Sequence, residues 1–422
     1  MYLWYLLKSR DENMRLKGEP PTTQRSRAHE RELVRGILVM ALKSKWAKEA
    51  WEMSTPELLR YCYLCLFLFF FCSLKIVSYG QNQISLNEIS DISITPPNTK
   101  AARPESLNLK NRLFVTYLQI APQRTFRLLK LGNDLKIDGE QNLYSGKNQP
   151  TDIRICQGQG DLFVYAFETT SFQKGIPNHL SLGQYESKNS VFKIIGEPQK
   201  IAEAMPLIVP DSIPKPGDDL LDDASPFFHK NYIFVVNRKW ESAIIQVQVF
   251  SPEIKFVEKH ELNLGGFVPR FNIGKSCLVE INEQPYLVAM VYNGPPNGRN
   301  QSYIALIELD SKITMGKSIS ILNKTDDYEG FVSCARHNNG ILYVAYDHLL
   351  PNSGHKGFIK AFDTKNGFRE IGVVKINEGA MVDNHFSFEI LENKMFVFYP
   401  VPGEEIRLKT ISLKMIENKT NK

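Results

Sequence analysis

The sequence predicts an all-β fold, a six-bladed β-propeller of four-stranded antiparallel blades, and two repeating patterns carry this prediction. One type of apolar strand recurs six times, opening at Leu113, Leu162, Ile233, Leu287, Leu342 and Met395. Each of the first five is followed by a polar loop, a second apolar strand and a short polar turn: GNDLKI, SKNSVF, SPEIKF, DSKITM or TKNGFR. Four-stranded units repeated about every 40–55 residues are typical of propeller blades.

The clearest repeat, Gly160–Pro198, shows how a blade is composed. It contains the strand LFVYAFE, a polar loop, the strand HLSLGQYE, the turn SKNS and the strand VFKIIG. The preceding segment TDIRICQ supplies the fourth strand, which we expect on the inside of the ring. Alternating apolar and polar positions of this kind are typical of half-buried strands.

The two ends of the chain are expected to complete one blade together. Residues 383–416 contain only three strand patterns, HFSFEI, KMFVFYP and IRLKTISLKMI. The N-terminal segment QISLNEISDISI can supply the missing outer strand, and such closure removes an exposed sheet edge. We therefore assign 81–110 to an N-terminal segment with the closing strand, 111–416 to the propeller and 417–422 to a polar tail.

The first 80 residues carry a separate signal. Residues 1–52 are a basic extension outside the blade pattern, and residues 53–80 contain Arg60, a short apolar run and small residues at Ser78 and Gly80. This is the pattern of a signal peptide. Two interpretations stay open: translation from Met53 with cleavage near Gln81, or an uncleaved signal anchor with a basic cytoplasmic tail. Both predict an exported protein that meets the membrane only through this segment.

Charge and cysteine content exclude several classes of function. The formal net charge is +5, and residues 1–80 account for all of it, since the remainder holds 38 basic and 38 acidic residues. A neutral domain lacks the basic footprint of a nucleic-acid-binding protein. Cys156, Cys277 and Cys334 fall in expected inner strands without CxxC spacing, so they are interpreted as small buried side chains. We expect no metal, no cofactor and a monomer.

Functional residues are expected on the face that carries the long loops. The Pro- and Asp-rich insertion between the second and third blades, and the loops that join second to third strands, should share this face. Polar residues near the starts of inner strands and the ends of second strands should meet at the channel mouth. Candidate catalytic residues are Asp152, Asp223 and Asp347. Candidate ligand-binding residues are Arg154, Glu168, Asp222, Arg238, Trp240, Arg270, Arg336, Asp383 and His385.

Two segments resemble the sialidase-like and arabinanase-type glycosidase propellers. TDIRICQGQGDLFVYAFE resembles their Asp-x-Arg inner strand followed by an apolar strand, and DDASPFFHKNYIFVV resembles the Asp-x-Ser-x-Phe-Phe entry of an arabinanase blade. The turns SKNSVF and TKNGFR occupy the place of the sialidase Asp boxes, although no turn carries the full box. The resemblance covers about residues 105–416 and implies a glycan ligand. It also makes Arg154, Arg270 and Arg336 candidates for binding a substrate carboxylate.

Three functions remain open. The first is recognition of a glycan or another extracellular ligand at the loop-rich face. The second is glycoside hydrolysis, in which two carboxylates act on one sugar. The third is a protein-interaction scaffold without a small-molecule site, for which we would expect an apolar rim instead of converging acids. The alternative explanation of the channel residues is that they form ion pairs between blades or a solvated lining.

Overall fold

The structure confirms the six-bladed propeller, with six four-stranded antiparallel sheets in a ring. It is a computed structural model, which describes residues 83–144, 148–170, 178–188, 191–204, 224–239, 242–265, 271–293, 302–325, 329–350, 354–377, 385–401 and 405–416. These residues belong to one compact unit, Gln81–Lys419. The predicted N-terminal extension, signal segment and polar tail lie outside them.

The first three blades follow one another along the chain. Blade 1 consists of β2 (Lys100–Leu109), β3 (Arg112–Ala121), β4 (Thr125–Leu131) and β5 (Ile137–Asn142). Blade 2 consists of β6 (Gln149–Gln157), β7 (Leu162–Thr170), β8 (Asn178–Lys188) and β9 (Val191–Ala204). Blade 3 consists of β10 (Ser225–His229), β11 (Tyr232–Arg238), β12 (Ile244–Phe250) and β13 (Phe256–Asn263).

The last three blades repeat this order and close the ring. Blade 4 consists of β14 (Phe271–Ile281), β15 (Gln284–Asn293), β16 (Ser302–Leu309) and β17 (Gly316–Thr325). Blade 5 consists of β18 (Glu329–Asn338), β19 (Ile341–Leu350), β20 (Gly354–Asp363) and β21 (Arg369–Lys375), with a 3-10 turn at Thr364–Asn366. Blade 6 consists of β22 (Ser387–Leu391), β23 (Lys394–Pro400), β24 (Ile406–Ile416) and β1 (Gln83–Ser93).

The closing strand is confirmed, and the start of the propeller differs from the expected boundary. β1 pairs antiparallel with β24, from Gln83 opposite Ile416 to Ser93 opposite Arg407. The inner strand of blade 1 is β2, which precedes residue 111. Its pairing with β3 shifts register between Ala102 and Glu105, around Pro104, so the segment lacks the regular alternation that marks the other strands.

The hydrophobic core consists of six clusters, one between each pair of neighbouring blades. Aromatic side chains dominate the cluster between blades 1 and 2, where the Phe114 and Phe163 ring centroids are 4.6 Å apart and those of Phe126 and Phe167 are 5.9 Å apart. Such pairs contribute about 0.5–1.5 kcal/mol beyond area burial. Because a cluster also joins blade 6 to blade 1, the described ring has no open blade interface.

The two faces differ in their connections. Inner and second strands are joined by tight turns, several with paired positive φ values, such as Lys110 and Asn111 (50° and 61°) and Asn282 and Glu283 (51° and 66°). This is type I′ geometry. The opposite face carries the longer blade-to-blade connections, including Ala204 to Ser225. The expected long loop after Asp347 is short, because β19 extends to Leu350 and β20 begins at Gly354.

A close contact inside blade 2 yields the first prediction. Gly183 lies opposite Tyr165, and a Cβ atom at Gly183 would stand 2.4 Å from Cζ of the tyrosine ring. We expect Gly183→Ala to lower the free energy of unfolding by about 1–3 kcal/mol, since overpacking displaces the ring. Urea denaturation of a double-mutant cycle checks this. In a Tyr165→Leu background the glycine substitution should cost much less, and equal costs in both backgrounds would contradict the account.

Candidate ligand site in the channel

The channel is lined by the six inner strands, each of which contacts the inner strands of its neighbours. These strands all run from the face with the long connections toward the face with the tight turns. Residues near their first positions therefore lie at the mouth on the long-connection face. Residues near their last positions lie toward the tight-turn face.

Arg336, from β18, links three blades in the middle of the channel. Its Nε and Nη2 donate to Glu389 Oε1 at 2.8 and 2.6 Å, and Nη2 also donates to the Ser106 carbonyl at 3.1 Å. Nη1 donates to the carbonyl of Ala335 at 2.9 Å. One guanidinium thus joins blades 5, 6 and 1. Two charge-assisted hydrogen bonds to one carboxylate oxygen are stronger than bonds between neutral groups.

Two opposing effects act on the pKa of the Glu389 carboxyl. Burial raises its pKa above the usual range, whereas the Arg336 charge and hydrogen bonds act to lower it. The pKa of Arg336 is raised, because the effects of Glu389 and the nearby thiols outweigh burial. A second buried pair, Arg154 with Glu105, joins blade 2 to blade 1. Carboxylates and guanidiniums at mid-channel therefore neutralise each other.

A second group of polar residues lies at the mouth and is centred on Asp152. The side chain of Asp152 is 3.5 Å from Arg154 Nε, 3.7 Å from Arg103 Nη1 and 4.0 Å from His385 Nε2. Asp152, Arg154 and His385 are buried, and the Arg103 side chain is 28% exposed. We call Arg103, Asp152, Arg154, Glu168 and His385 the mouth cluster.

Glu168 is the second carboxylate of the mouth cluster. It lies directly opposite Asp152 across the β6–β7 pair. Its Oε2 accepts a hydrogen bond from Thr151 Oγ1 at 2.8 Å, and its Oε1 accepts one from Asn178 Nδ2 at 2.7 Å. Opposed residues of an antiparallel pair have Cβ atoms about 4.5–5.5 Å apart. Asp152 and Glu168 are thus cross-strand neighbours at the mouth.

The backbone at Arg103 is strained. Its φ of 53° lies in the left-handed region, and the register shift of β2 falls at the same place. Bulges and left-handed non-glycine residues are frequent beside functional sites, where they redirect a side chain. Arg124 lies nearby, donating from Nε to the Pro150 carbonyl at 2.8 Å. Burial and the Arg103 charge lower its pKa.

The structure brings together only part of the predicted site. Asp152, Arg154, Glu168 and His385 meet at the mouth, whereas Arg336 lies deeper and is engaged by Glu389. Asp347 is fully buried near the end of β19, and Arg238 is half-buried at the end of β11. Asp222, Asp223, Trp240, Arg270 and Asp383 lie outside the described residues.

Of the three arginines that the family resemblance suggested, the two described ones each have a carboxylate partner. Arg154 pairs with Glu105 and Arg336 with Glu389. Neither of these carboxylates was singled out from the sequence, and the same holds for Arg103 and Arg124. Glu389 lies two residues after Ser387 on the inner strand β22, so both lie on the same face of that strand. The position of this glutamate in the segment SFEI could therefore have indicated a channel residue. No local sequence pattern indicated that Arg103 belongs to the site.

The three described cysteines are free thiols. Burial raises the pKa of Cys156, of Cys277 and of Cys334 to about 12, so all three are protonated near neutral pH. They are therefore poor nucleophiles. Within the described part of the chain, no three His, Cys, Asp or Glu side chains are grouped so as to hold a metal ion. No helix among the described residues is long and apolar enough to span a membrane.

Solved structures establish the class of fold to which the chain belongs. The α-L-arabinofuranosidase Arb93A of Fusarium graminearum, in complex with an iminosugar inhibitor, superposes with a TM-score of 0.52 at 11% identity, over 79% of this chain and 99% of that chain. The Penicillium chrysogenum α-L-arabinanase complexed with arabinobiose superposes with a TM-score of 0.51 at 12% identity, over 78% and 98%. A Trypanosoma rangeli sialidase mutant gives 0.43 at 12% identity, over 78% and 58%.

The chain thus shares its propeller fold with the arabinofuranosidase and the arabinanase, as the resemblance to arabinanase-type propellers implied. At these identities the likeness concerns architecture. No protein-family model matches the sequence, and no curated protein matches it either. The function must therefore be argued from the site itself.

Proposed function

We propose that this protein is an exported carbohydrate-binding propeller whose ligand site is the mouth cluster. The observation that carries the proposal is the juxtaposition of Asp152 and Glu168 beside Arg103 and Arg154 at the channel mouth. Paired carboxylates accept hydrogen bonds from sugar hydroxyls, and guanidiniums donate to ring and hydroxyl oxygens. A few convergent polar groups in a concave site are typical of small-ligand recognition.

Arabinan-type oligosaccharides are the first ligands to test, since arabinobiose occupies the structurally similar arabinanase. Titration calorimetry with arabinobiose, alongside a glycan array, should be applied to residues 81–422. We expect Asp152→Asn to weaken binding of the best glycan about 10–100-fold, because hydrogen bonds to a charged group contribute about 1.5–3 kcal/mol.

Asp161→Asn is the matched control. Asp161 lies in the same blade at the tight-turn end, where it forms an exposed ion pair with Lys110. Its replacement should leave glycan affinity unchanged. Equal weakening in both variants, or no glycan binding by the folded protein, would contradict the proposal.

Hydrolysis is the second candidate, and the cross-strand placement of Asp152 and Glu168 favours it. Retaining glycosidases hold their two carboxyl groups about 5–5.5 Å apart, and opposed residues of neighbouring strands are close enough for their side chains to interact. A panel of fluorogenic arabinofuranosides and a sialoside tests this candidate. Turnover that Asp152→Ala and Glu168→Gln abolish without loss of thermal stability would establish a glycosidase. Binding without turnover would leave recognition as the function.

Export is the part of the proposal that rests on residues 53–80 alone. Expression of the full chain in a secreting host, followed by N-terminal sequencing, distinguishes a cleaved signal peptide from an uncleaved signal anchor. A mature terminus near Gln81 would support signal cleavage, and retention in the membrane fraction would support an anchor. Recovery of intact protein from the cytosol would overturn export.

A further inference from the structure

The channel contains a cavity beneath the mouth cluster, with which its lining shares Arg154. It has a volume of about 260 Å³ and is lined by the inner strands of blades 1–5. Its lining includes Gln157, which is the last residue of β6, and Glu280 and His337, which are next to last in β14 and β18. The cavity therefore lies toward the tight-turn face, opposite the expected ligand face. We call it the lower pocket.

The two arginines in the polar wall of the lower pocket are electrically balanced. Arg154 and Arg336 contribute to it, and each is already matched by a buried carboxylate, Glu105 or Glu389. The four hydrogen bonds of Arg336 use four of its five N–H groups and leave one on Nη1. These arginines can thus donate a hydrogen bond without offering a net charge to a ligand.

The remaining walls are apolar or weakly polar. Leu107, Ile155, Phe227 and Phe228 line the pocket, together with the three thiols. Because burial raises the pKa of each thiol to about 12, the sulfur atoms are uncharged and polarizable. Such walls favour reversible contact with an apolar body over covalent or ionic capture.

The rim adds the imidazole of His337 and the half-exposed carboxylate of Glu280. Burial lowers the pKa of His337, so its imidazole is uncharged at neutral pH, and its Nε2 is buried without a hydrogen-bond partner among the described residues. The neighbouring Glu280 is held by His229 Nδ1 at 2.7 Å. A buried ring nitrogen without a partner is a group that a ligand or water would satisfy.

We propose that the lower pocket is a second binding site, for a small, uncharged and largely apolar molecule that carries one hydrogen-bond acceptor. The acceptor meets the remaining N–H of Arg336, and the apolar body packs against the thiols and Phe227. The volume suits a molecule of about one substituted aromatic ring, since a water molecule occupies about 30 Å³ in the liquid. The site does not depend on the glycan proposal, because Arg154 is the one residue of the mouth cluster in its described lining.

Three probes of the same shape and different charge test the site. Benzamide is neutral, benzoate is an anion and benzamidine is a cation. Titration calorimetry on residues 81–422 should show saturable benzamide binding that is at least about tenfold tighter than binding of either ion. A charged probe would lose its hydration, while both arginines are already matched by carboxylates and Glu280 is engaged by His229. Tighter binding of benzoate, or no binding of any probe, would overturn the proposal.

A pair of substitutions at one position then locates the site. Cys156→Leu fills part of the pocket and should abolish benzamide binding, whereas Cys156→Ser keeps the space and should retain it. Asp152→Asn should also retain it, which separates this site from the mouth cluster. If the leucine variant does not fold, a benzamide-soaked crystal decides: density beside Arg336 supports the proposal, and density only elsewhere refutes it.

Discussion

Arg336→Met is expected to destabilise the propeller by about 3–5 kcal/mol, the cost of leaving one member of a buried ion pair without its partner. Glu389 is fully enclosed, and Arg336 is the cation that binds it from blade 5. The substitution also removes the donor to the Ser106 carbonyl of blade 1. Urea denaturation followed by intrinsic fluorescence measures the loss.

The cost should depend on pH in a defined direction. Burial already raises the pKa of Glu389, and removing Arg336 raises it further. A carboxyl with a raised folded-state pKa gives stability that is complete below its unfolded pKa, about 4.3. That stability is lost as the pH climbs through the folded-state value. The variant should therefore be close to wild type near pH 4–5 and fall progressively behind toward pH 8.

Lys110→Met is the matched control, because Lys110 forms an ion pair with Asp161 in which both side chains are largely exposed. Surface pairs contribute about 0–1 kcal/mol. If Arg336→Met lost as little stability as the control, or if its loss became smaller with rising pH, the Arg336–Glu389 pair would not stabilise the channel as described.

Removal of β1 should have the other large effect. A chain that begins at Thr95 loses the whole β1–β24 ladder, the buried Ile84 side chain and the ion pairs of Glu88 with Lys409 and of Asp91 with Arg407. It also exposes the long edge of β24, and exposed edges promote aggregation. We expect a loss of about 5 kcal/mol or more, comparable with the whole stability of a typical domain.

The comparison is with a chain that begins at Gln81, analysed by size-exclusion chromatography and thermal melting. A synthetic peptide of residues 83–93 should restore the melting transition of the truncated chain by strand addition, and a scrambled peptide should not. A truncated chain that melts like the longer one would contradict the closure account.

The repeat itself could be predicted because the second strand of each blade is buried on both faces. Its apolar runs, such as LFVYAFE and LYVAYD, contrast with the polar turns around them. All six predicted strand starts lie within three residues of the observed ones. The inner strand β2 was missed because Arg103 and Pro104 interrupt its pattern, and the register shift that accommodates them is a tertiary feature.

The candidate site could be predicted only in part for the same reason. Asp152 and Arg154 are two residues apart on one inner strand, so their common face follows from strand periodicity. Their partners Arg103, Glu105 and His385 come from other blades, and only ring closure brings them within reach. The balance of charges at Arg336 and Glu389 likewise depends on contacts between β18, β22 and β2.

A crystal structure of residues 81–422 with the best-binding glycan would show directly whether the mouth cluster binds sugar. We expect sugar density at the long-connection mouth, with hydroxyl groups within hydrogen-bond distance of Asp152 and Glu168. Sugar density on the outer rim or in the lower pocket, with the mouth cluster untouched, would contradict it.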